Sequence, residues 1–351
     1  MEKDATIKQM KLLICTQAVD SRDSNLGFFH TWITEFAKQC EHVTVICLRE
    51  GEHSLPGNVR VLSLGKEEGS GRLVRVWRFL RYIRTSDYDA VFVHMNPEYI
   101  LLGGYWWRRW GKKVGLWYAH KSVTWKLRHA LRFVDRVFTV AENSFGIATP
   151  KLKVLGHGID TNLFAPAMHV ENAGLRIVTV GRVAESKRLL EMVAVLDVLY
   201  ERGQKFSFTI VGEPVTDAEE VYAARLSEEI AKRPYQGQVQ LLGAVPHHML
   251  PDLLHAQDVL FNFGTTGNMD KAGLEALAAG VALFSTNAHF EDLLAPWGLY
   301  VASPNPEHIA QALLHFFGRG DQPAILATLR NKVVAEHSLS TLIPKILKEL
   351  A

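Results

Sequence analysis

Short apolar runs alternate with longer amphipathic ones along most of the 351-residue chain. Met10–Thr16 reads as a strand, and after a polar loop Phe28–Gln39 reads as a helix. Strands follow at Val43–Leu48 and Val59–Leu64, a helix at Leu73–Arg84 and a strand at Ala90–His94. Then come helix Tyr99–Trp110, strand Lys113–Tyr118, helix Trp125–Phe133 and strand Arg136–Ala141. Short apolar strands joined through helices predict a parallel sheet covered on both faces.

The alternation restarts at Leu175. Strands are expected at Leu175–Val180, Ser207–Val211, Val239–Leu242, Val259–Phe261 and Val281–Ser285. Helices are expected at Arg188–Arg202, Asp217–Lys232, Met249–Ala256, Leu274–Ala279 and Pro306–Phe317. Periodicity breaks over Phe164–Gly174, which reads as a linker. The chain therefore reads as two doubly wound Rossmann-like α/β domains, residues 1–163 and 174–339. A last helix at 340–351 is left to pack back on the first domain. Ligands of such sheets bind at strand carboxyl ends, so two facing domains would hold one in an interdomain cleft. Length agrees, since one core rarely grows past about 250–300 residues.

Charge adds an asymmetry. Residues 1–163 carry 24 Lys/Arg against 16 Asp/Glu, and the remainder 15 against 21. A basic first half favours anionic partners such as phosphate groups or a membrane surface. Nucleic acid is not an expected partner, because no helix-turn-helix, zinc-finger or RNA-binding signature is present. Cys15, Cys40 and Cys47 show no CxxC or metal-ligand spacing and read as buried free thiols, which a reducing cytosol suits. Met1–Asp4 opens no signal-peptide core, and no run of about 18 uncharged apolar residues exists. A cytoplasmic protein is expected, any membrane contact being peripheral on the inner face.

The strongest local signal is Val178-Thr-Val-Gly-Arg-Val-Ala-Glu-Ser-Lys-Arg188. A strand ends at Val180, Gly181 permits a tight exit, and Arg182 and Lys187 flank the start of a helix. Two cations, free backbone N–H groups and a positive helix end at one point suit a diphosphate. Read alone, the loop fits two solvated cations equally well.

The segments that follow narrow the choice. They are Ser207–Gly212 with Glu213-Pro214, Val239-Gln-Leu-Leu-Gly-Ala-Val-Pro-His247, Leu253-Leu-His-Ala-Gln-Asp-Val259, and Asn268-Met-Asp-Lys-Ala-Gly-Leu-Glu-Ala-Leu-Ala-Ala-Gly280. In this order and spacing the chain resembles the retaining GT-B glycosyltransferases of family 4, the glycosyl transferases group 1. Lys153–Phe164 is similar to that family's interdomain strand. The resemblance covers essentially the whole chain and is specific over residues 178–287.

The resemblance implies a hexosyltransferase (EC 2.4) that moves a sugar from a nucleoside-diphosphate sugar, UDP- or GDP-linked, to an acceptor hydroxyl with retention of configuration. Arg182 and Lys187 would neutralise the leaving diphosphate, with Gly181 at the turn. Glu275 would bond the ribose, and Gly243, Ala244 and Val245 would lie along the base. In the first half, Gly27 in the loop Ser24–His30 would approach the donor phosphate or the acceptor. His120 would touch the sugar near the reacting carbon, and His157 would contact the donor. His94 reads as a packing residue at a strand end.

One departure is plain. The family's usual Glu eight residues before Glu275 falls at Gly267. The loop Gly267-Asn268-Met269-Asp270-Lys271 leaves Asp270 or Lys271 to take over near the sugar, or Asp270 to cap a helix. That departure leaves a second reading open, a catalytically weak nucleotide-sugar-binding module or partner subunit. No metal or other cofactor is expected, because the two cations supply the charge. Asp87-Tyr-Asp89 mimics a metal motif but precedes a strand and reads as a helix cap, and His247-His248 adjoin too closely to share an ion. Expected partners are the nucleotide sugar and a sugar, glycan or lipid-linked acceptor. Arg72, Arg75, Arg78, Arg81 and Arg84, interleaved with apolar residues and followed by Tyr105–Lys113, suit an anionic lipid surface. A step of three spirals round a helix, which argues against one shared basic face.

Overall fold

A computed structural model describes residues 8–23, 25–167, 174–264 and 269–351. They form two compact units: Met1–Gly158 with Pro246–His248 and Glu336–Ala351, and Ile159–Val245 with Met249–Ala335.

The first unit contains β1 (Lys11–Val19), α1 (Phe28–Gln39), β2 (His42–Glu50), β3 (Val59–Ser63), α2 (Arg72–Thr85), β4 (Ala90–His94), α3 (Pro97–Arg109), β5 (Lys113–Trp117), α4 (Trp125–Ala130), β6 (Arg136–Thr139) and β7 (Leu152–Val154). The strands pair in parallel in the order β3-β2-β1-β4-β5-β6-β7. The order reverses beside β1, so the carboxyl ends of β1 and β4 flank a topological switch point. Central strands such as β4 are buried on both faces, which explains their unbroken apolar sequence.

The second unit contains β8 (Leu175–Val180), α5 (Leu189–Glu201), β9 (Phe206–Val211), α6 (Asp217–Ala231), β10 (Val239–Gly243), α7 (Leu250–His255), β11 (Val259–Asn262), α8 (Lys271–Ala278), β12 (Ala282–Ser285), α9 (Glu291–Leu294), α10 (Pro306–Gly318) and α11 (Gln322–His337). Its five strands are parallel in the order β10-β9-β8-β11-β12, with the switch point between β8 and β11. A final helix, α12 (Leu339–Leu350), belongs to the first unit. Leu339, Leu342, Ile343, Ile346, Leu347 and Leu350 repeat at helical spacing and bury one stripe in the core of α1 and β1. Glu349 fastens its end, accepting from Arg136 Nε at 2.6 Å and lying 3.3 Å from Lys153 Nζ. Pro344 removes one N–H from this helix, and the buried stripe holds it in place regardless.

Most expected elements are present with ends moved by a few residues. The helix α11 was not expected; its buried face is narrow, only Ile325, Leu329 and Val333 at a spacing of four. The helix expected from Leu274 begins at Lys271. The three cysteines are free and buried, and burial pushes the Cys40 thiol up to about 12. No helix among the described residues is long and apolar enough to cross a membrane.

Ile343 is fully buried where α12 meets α1. Replacing it by Ala should cost about 2–5 kcal/mol, read as a lower denaturant midpoint. An unchanged midpoint would show that α12 contributes no stability to the first unit.

Candidate functional site

Three strands of the second unit end on glycines that draw together. The Gly181 N–H donates to the Val211 carbonyl at 2.9 Å, and the Gly212 N–H donates to the Gly243 carbonyl at 2.8 Å. Gly181 and Gly212 have φ of 145° and 133°, and a Cβ on Gly212 would stand 1.9 Å from the Gly181 carbonyl oxygen. Neither position accepts a side chain, so the chain leaving β8 lies close over the end of β9.

Lys187 crosses this floor. Its stem lies over Gly181 at the end of β8 and over Gly264 just after β11. Those strands flank the switch point, where ligands of doubly wound sheets bind. The ammonium pairs with Asp270, whose carboxylate also accepts from Asn262 Nδ2 at 3.0 Å. Burial alone would raise the Asp270 pKa, but the Lys187 charge and the Asn262 amide outweigh it and hold the carboxyl below its ordinary value. Arg182 is half-exposed, its Nη1 donating to Glu219 Oε1 at 2.8 Å. Glu219 is fixed in turn by the Val215 N–H. Both candidate diphosphate cations thus hold a carboxylate of their own chain.

The helix start differs from the sequence expectation. The first N–H groups of α5, from Leu189 and Leu190, donate to the Tyr222 hydroxyl at 3.1 and 3.3 Å. They are not free donors for a phosphate. A 3₁₀ turn over Glu185–Lys187 precedes the helix, and Arg188 takes a left-handed φ of 55°. A non-glycine residue there is strained, and such strain gathers where a loop holds a working geometry.

Beyond β11, α8 carries the other donor-side candidates. Glu275 is buried in the second turn rather than at the helix start, so no first-turn dipole explains it. Burial lowers the Lys271 ammonium to about 7, with the Glu275 charge opposing. Gly267 and Asn268 lie outside the described residues. Asp270 stands at the N-cap of α8 but makes no side-chain cap there; its carboxylate turns to Lys187. Gly243 has φ 76°, and Gly243–Val245 leave β10 half-buried to exposed.

The first unit carries the remaining candidates. Gly27 leaves no room for a side chain: a Cβ there would meet the Asp23 carbonyl oxygen at 2.5 Å. Asp23 organises that loop, accepting from the Asn25 and Leu26 N–H groups and pairing with Arg49. His120 is exposed after β5, and its Nδ1 accepts the Ser122 N–H at 2.9 Å. The neutral ring therefore carries its proton on Nε2, as a donor. His157 is buried, and its N–H donates to His337 Nδ1 at 3.2 Å. His94 stacks on Phe29 with centroids 4.1 Å apart, a packing role. Asp87 and Asp89 clamp the start of β1, not a helix end: Asp87 pairs with Lys11 Nζ at 2.7 Å and Asp89 accepts its N–H at 2.8 Å. Sequence reading missed Asp23, Asn262 and Tyr222. Asn262, a polar residue ending an apolar strand, carried a readable signal; the other two depend on tertiary pairing.

This floor of glycines, with a lysine laid over the switch point, lies within one stretch of recognisable sequence. Residues 169–326 match the glycosyl transferases group 1 family. Over 239 residues the chain is 24% identical to a component of the phosphatidylinositol N-acetylglucosaminyltransferase of Arabidopsis thaliana. That match spans 67% of this chain and half the length of that relative. Among solved structures, Anabaena HepE in complex with UDP and glucose superposes with a TM-score of 0.75 at 15% identity, covering 97% of this chain and 99% of that one. Sucrose-phosphate synthase from Thermosynechococcus elongatus superposes with a TM-score of 0.71 at 14% identity, covering 96% and 97%. The fold is GT-B, as the motif order implied.

Lys271 also yields a pH test. Its folded pKa of about 7 lies below the unfolded value of 10.5. Between these values the unfolded chain binds a proton that the folded chain lacks, so stability should rise with pH through this window. Below about 7 both forms are charged and the rise is absent. Denaturant melts from pH 7 to 9 should show this gain in the native protein and lose it in Lys271→Met. Parallel profiles would place Lys271 in a solvated setting.

Proposed function

We propose that the chain transfers a sugar from a nucleoside-diphosphate sugar to an acceptor hydroxyl, with retention of anomeric configuration. The observation that carries this reading is Lys187, stretched over the ends of β8 and β11 inside the segment that matches the glycosyl transferases group 1. Arg182, on the same loop, is the second cation. The bond from the anomeric carbon to the diphosphate oxygen breaks, and the acceptor oxygen bonds that carbon from the same face. The acceptor's proton passes to the departing diphosphate. Charge gathers on the diphosphate as the bond lengthens, and fixed cations lower that barrier without a general acid.

In this reading Asp270 and Glu219 hold the two cations in place until the diphosphate arrives. The diphosphate then replaces or joins them, a balanced exchange of anions around each cation. Glu275 takes the ribose, Gly243–Val245 the base, and the His120 Nε2–H is a donor toward the sugar. Because HepE is seen with UDP, a UDP-sugar is the donor to test first. The acceptor is a sugar, a glycan or a lipid-linked group.

A second reading keeps the binding and drops the turnover. It is favoured by Gly267 standing where the family carries a carboxylate, with Asp270 engaged by Lys187 instead. Screening UDP-sugars for thermal stabilisation and then for UDP release separates the two. The transferase reading expects release, lowered by about 10²–10³ in Lys187→Ala and Arg182→Ala, and turnover that persists in EDTA. Stabilisation without release across acceptors and water would support the binding module. Full turnover in both alanine variants would refute the site assignment.

A further inference from the structure

The first unit carries a second cationic feature, apart from the Lys187 and Arg182 loop. A cavity of about 350 Å³ lies at the carboxyl ends of the first strands, lined by Leu48, Leu64, Val76, Phe79, Arg72 and Arg75 among others. Gln17, Asn96 and Glu98 line it as well, so an apolar floor is rimmed by polar groups, two of them guanidinium and one a carboxylate. Neither Arg72 nor Arg75 has an ion-pair partner among the described residues. The spiral of arginines along α2 is sorted by its surroundings. Arg78 goes to Glu68 at 2.9 Å, Arg81 lies over Trp77 at 5.4 Å, and Arg84 lies over Trp106 at 4.6 Å.

Beside the cavity the surface is unusually apolar. Leu73 is 86% exposed, Trp77 59% and Tyr105 62%. Leu102 of α3 lines the cavity and is itself exposed, so the cavity and this face adjoin. Residues 72–85 contain no acidic side chain, and Glu98, the one carboxylate of α3, is paired with Lys126 at 2.7 Å. Arg108 and Arg109 at the end of α3 are exposed as well. Exposed leucine and tryptophan cost solvation in water, and a face with an excess of positive charge gains from an anionic surface.

We propose that this α2–α3 face seats on an anionic lipid bilayer, with a lipid phosphate held by Arg72 and Arg75 and one lipid chain entering the cavity. A bilayer meets all three features at once. Headgroup phosphates take the arginines, the acyl boundary takes Leu73 and Trp77, and a single chain fills an apolar cavity of this size. Tryptophan and tyrosine are favoured at that boundary, where one end of the ring is apolar and the other wet.

Flotation of the full chain tests this, using vesicles of phosphatidylcholine alone and of phosphatidylcholine mixed with an equal part of phosphatidylglycerol. The chain should float with the mixed vesicles only, and less as salt rises. Arg72→Ala with Arg75→Ala should weaken binding about thirtyfold, at roughly 1 kcal/mol per arginine near an anionic surface. Leu73→Ser with Trp77→Ser should also release the protein. These are exposed or half-exposed positions, so both double variants should keep the native melting temperature and UDP binding. A chain that stays at the bottom of the gradient, or floats equally in both variants, overturns the proposal. So does Arg72- and Arg75-dependent binding of water-soluble glycerol phosphate by a chain that ignores vesicles.

Discussion

The second unit is organised around one buried exchange of charge. Lys187 is carried by a turn whose glycine permits close approach to β9, and its ammonium ends on Asp270, after β11. The pair therefore bridges the two strands at which the sheet order reverses. A part-buried ammonium and carboxylate offset each other's desolvation only when they meet, so removing either strands the other. Asn262 adds a second donor to the same carboxylate. The glycines, the strained Arg188 and the Tyr222 hydroxyl at the start of α5 all serve to hold the Lys187 loop in this position.

On the proposed reading, that arrangement also explains how an anion site would persist before its ligand arrives. Two cations exposed side by side on a short loop would repel and scatter. Here each is held by a carboxylate from another element, Asp270 or Glu219. A diphosphate offers more acceptor oxygens and more charge than either, so in the proposed function the exchange would favour it. Gly267, where the resembling family has a carboxylate, leaves the sugar end less determined than the phosphate end.

Much of this was legible in the sequence because the signals were local. Apolar strands alternating with amphipathic helices dictated two parallel sheets, and Gly181, Arg182 and Lys187 marked the loop that leaves β8 at the switch point. What escaped was tertiary. Nothing in the string Leu189-Leu190 shows that a tyrosine over thirty positions away takes their N–H groups. Gly27 was read for its backbone alone, and the Asp23 carboxylate that organises the same loop went unnoticed. The helix α11 buries only a narrow stripe, Ile325, Leu329 and Val333, a weak periodic signal that went unread. The arginines of α2 read as an unsorted spiral until each met its own partner, whether Glu68, a tryptophan or a cavity wall.

The central claim is that Lys187 receives the diphosphate. Calorimetric titration of UDP into the native chain, Lys187→Ala and Asp270→Asn tests it most directly. A charge-assisted hydrogen bond contributes about 1.5–3 kcal/mol, so Lys187→Ala should weaken UDP binding by about ten- to a hundredfold. Asp270→Asn leaves the Lys187 ammonium without its carboxylate, a loss that UDP makes good, so this variant should be less stable without ligand yet bind UDP at least as tightly as the native chain. Native affinity in Lys187→Ala, or a loss in Asp270→Asn as large as the one expected for Lys187→Ala, would contradict the account.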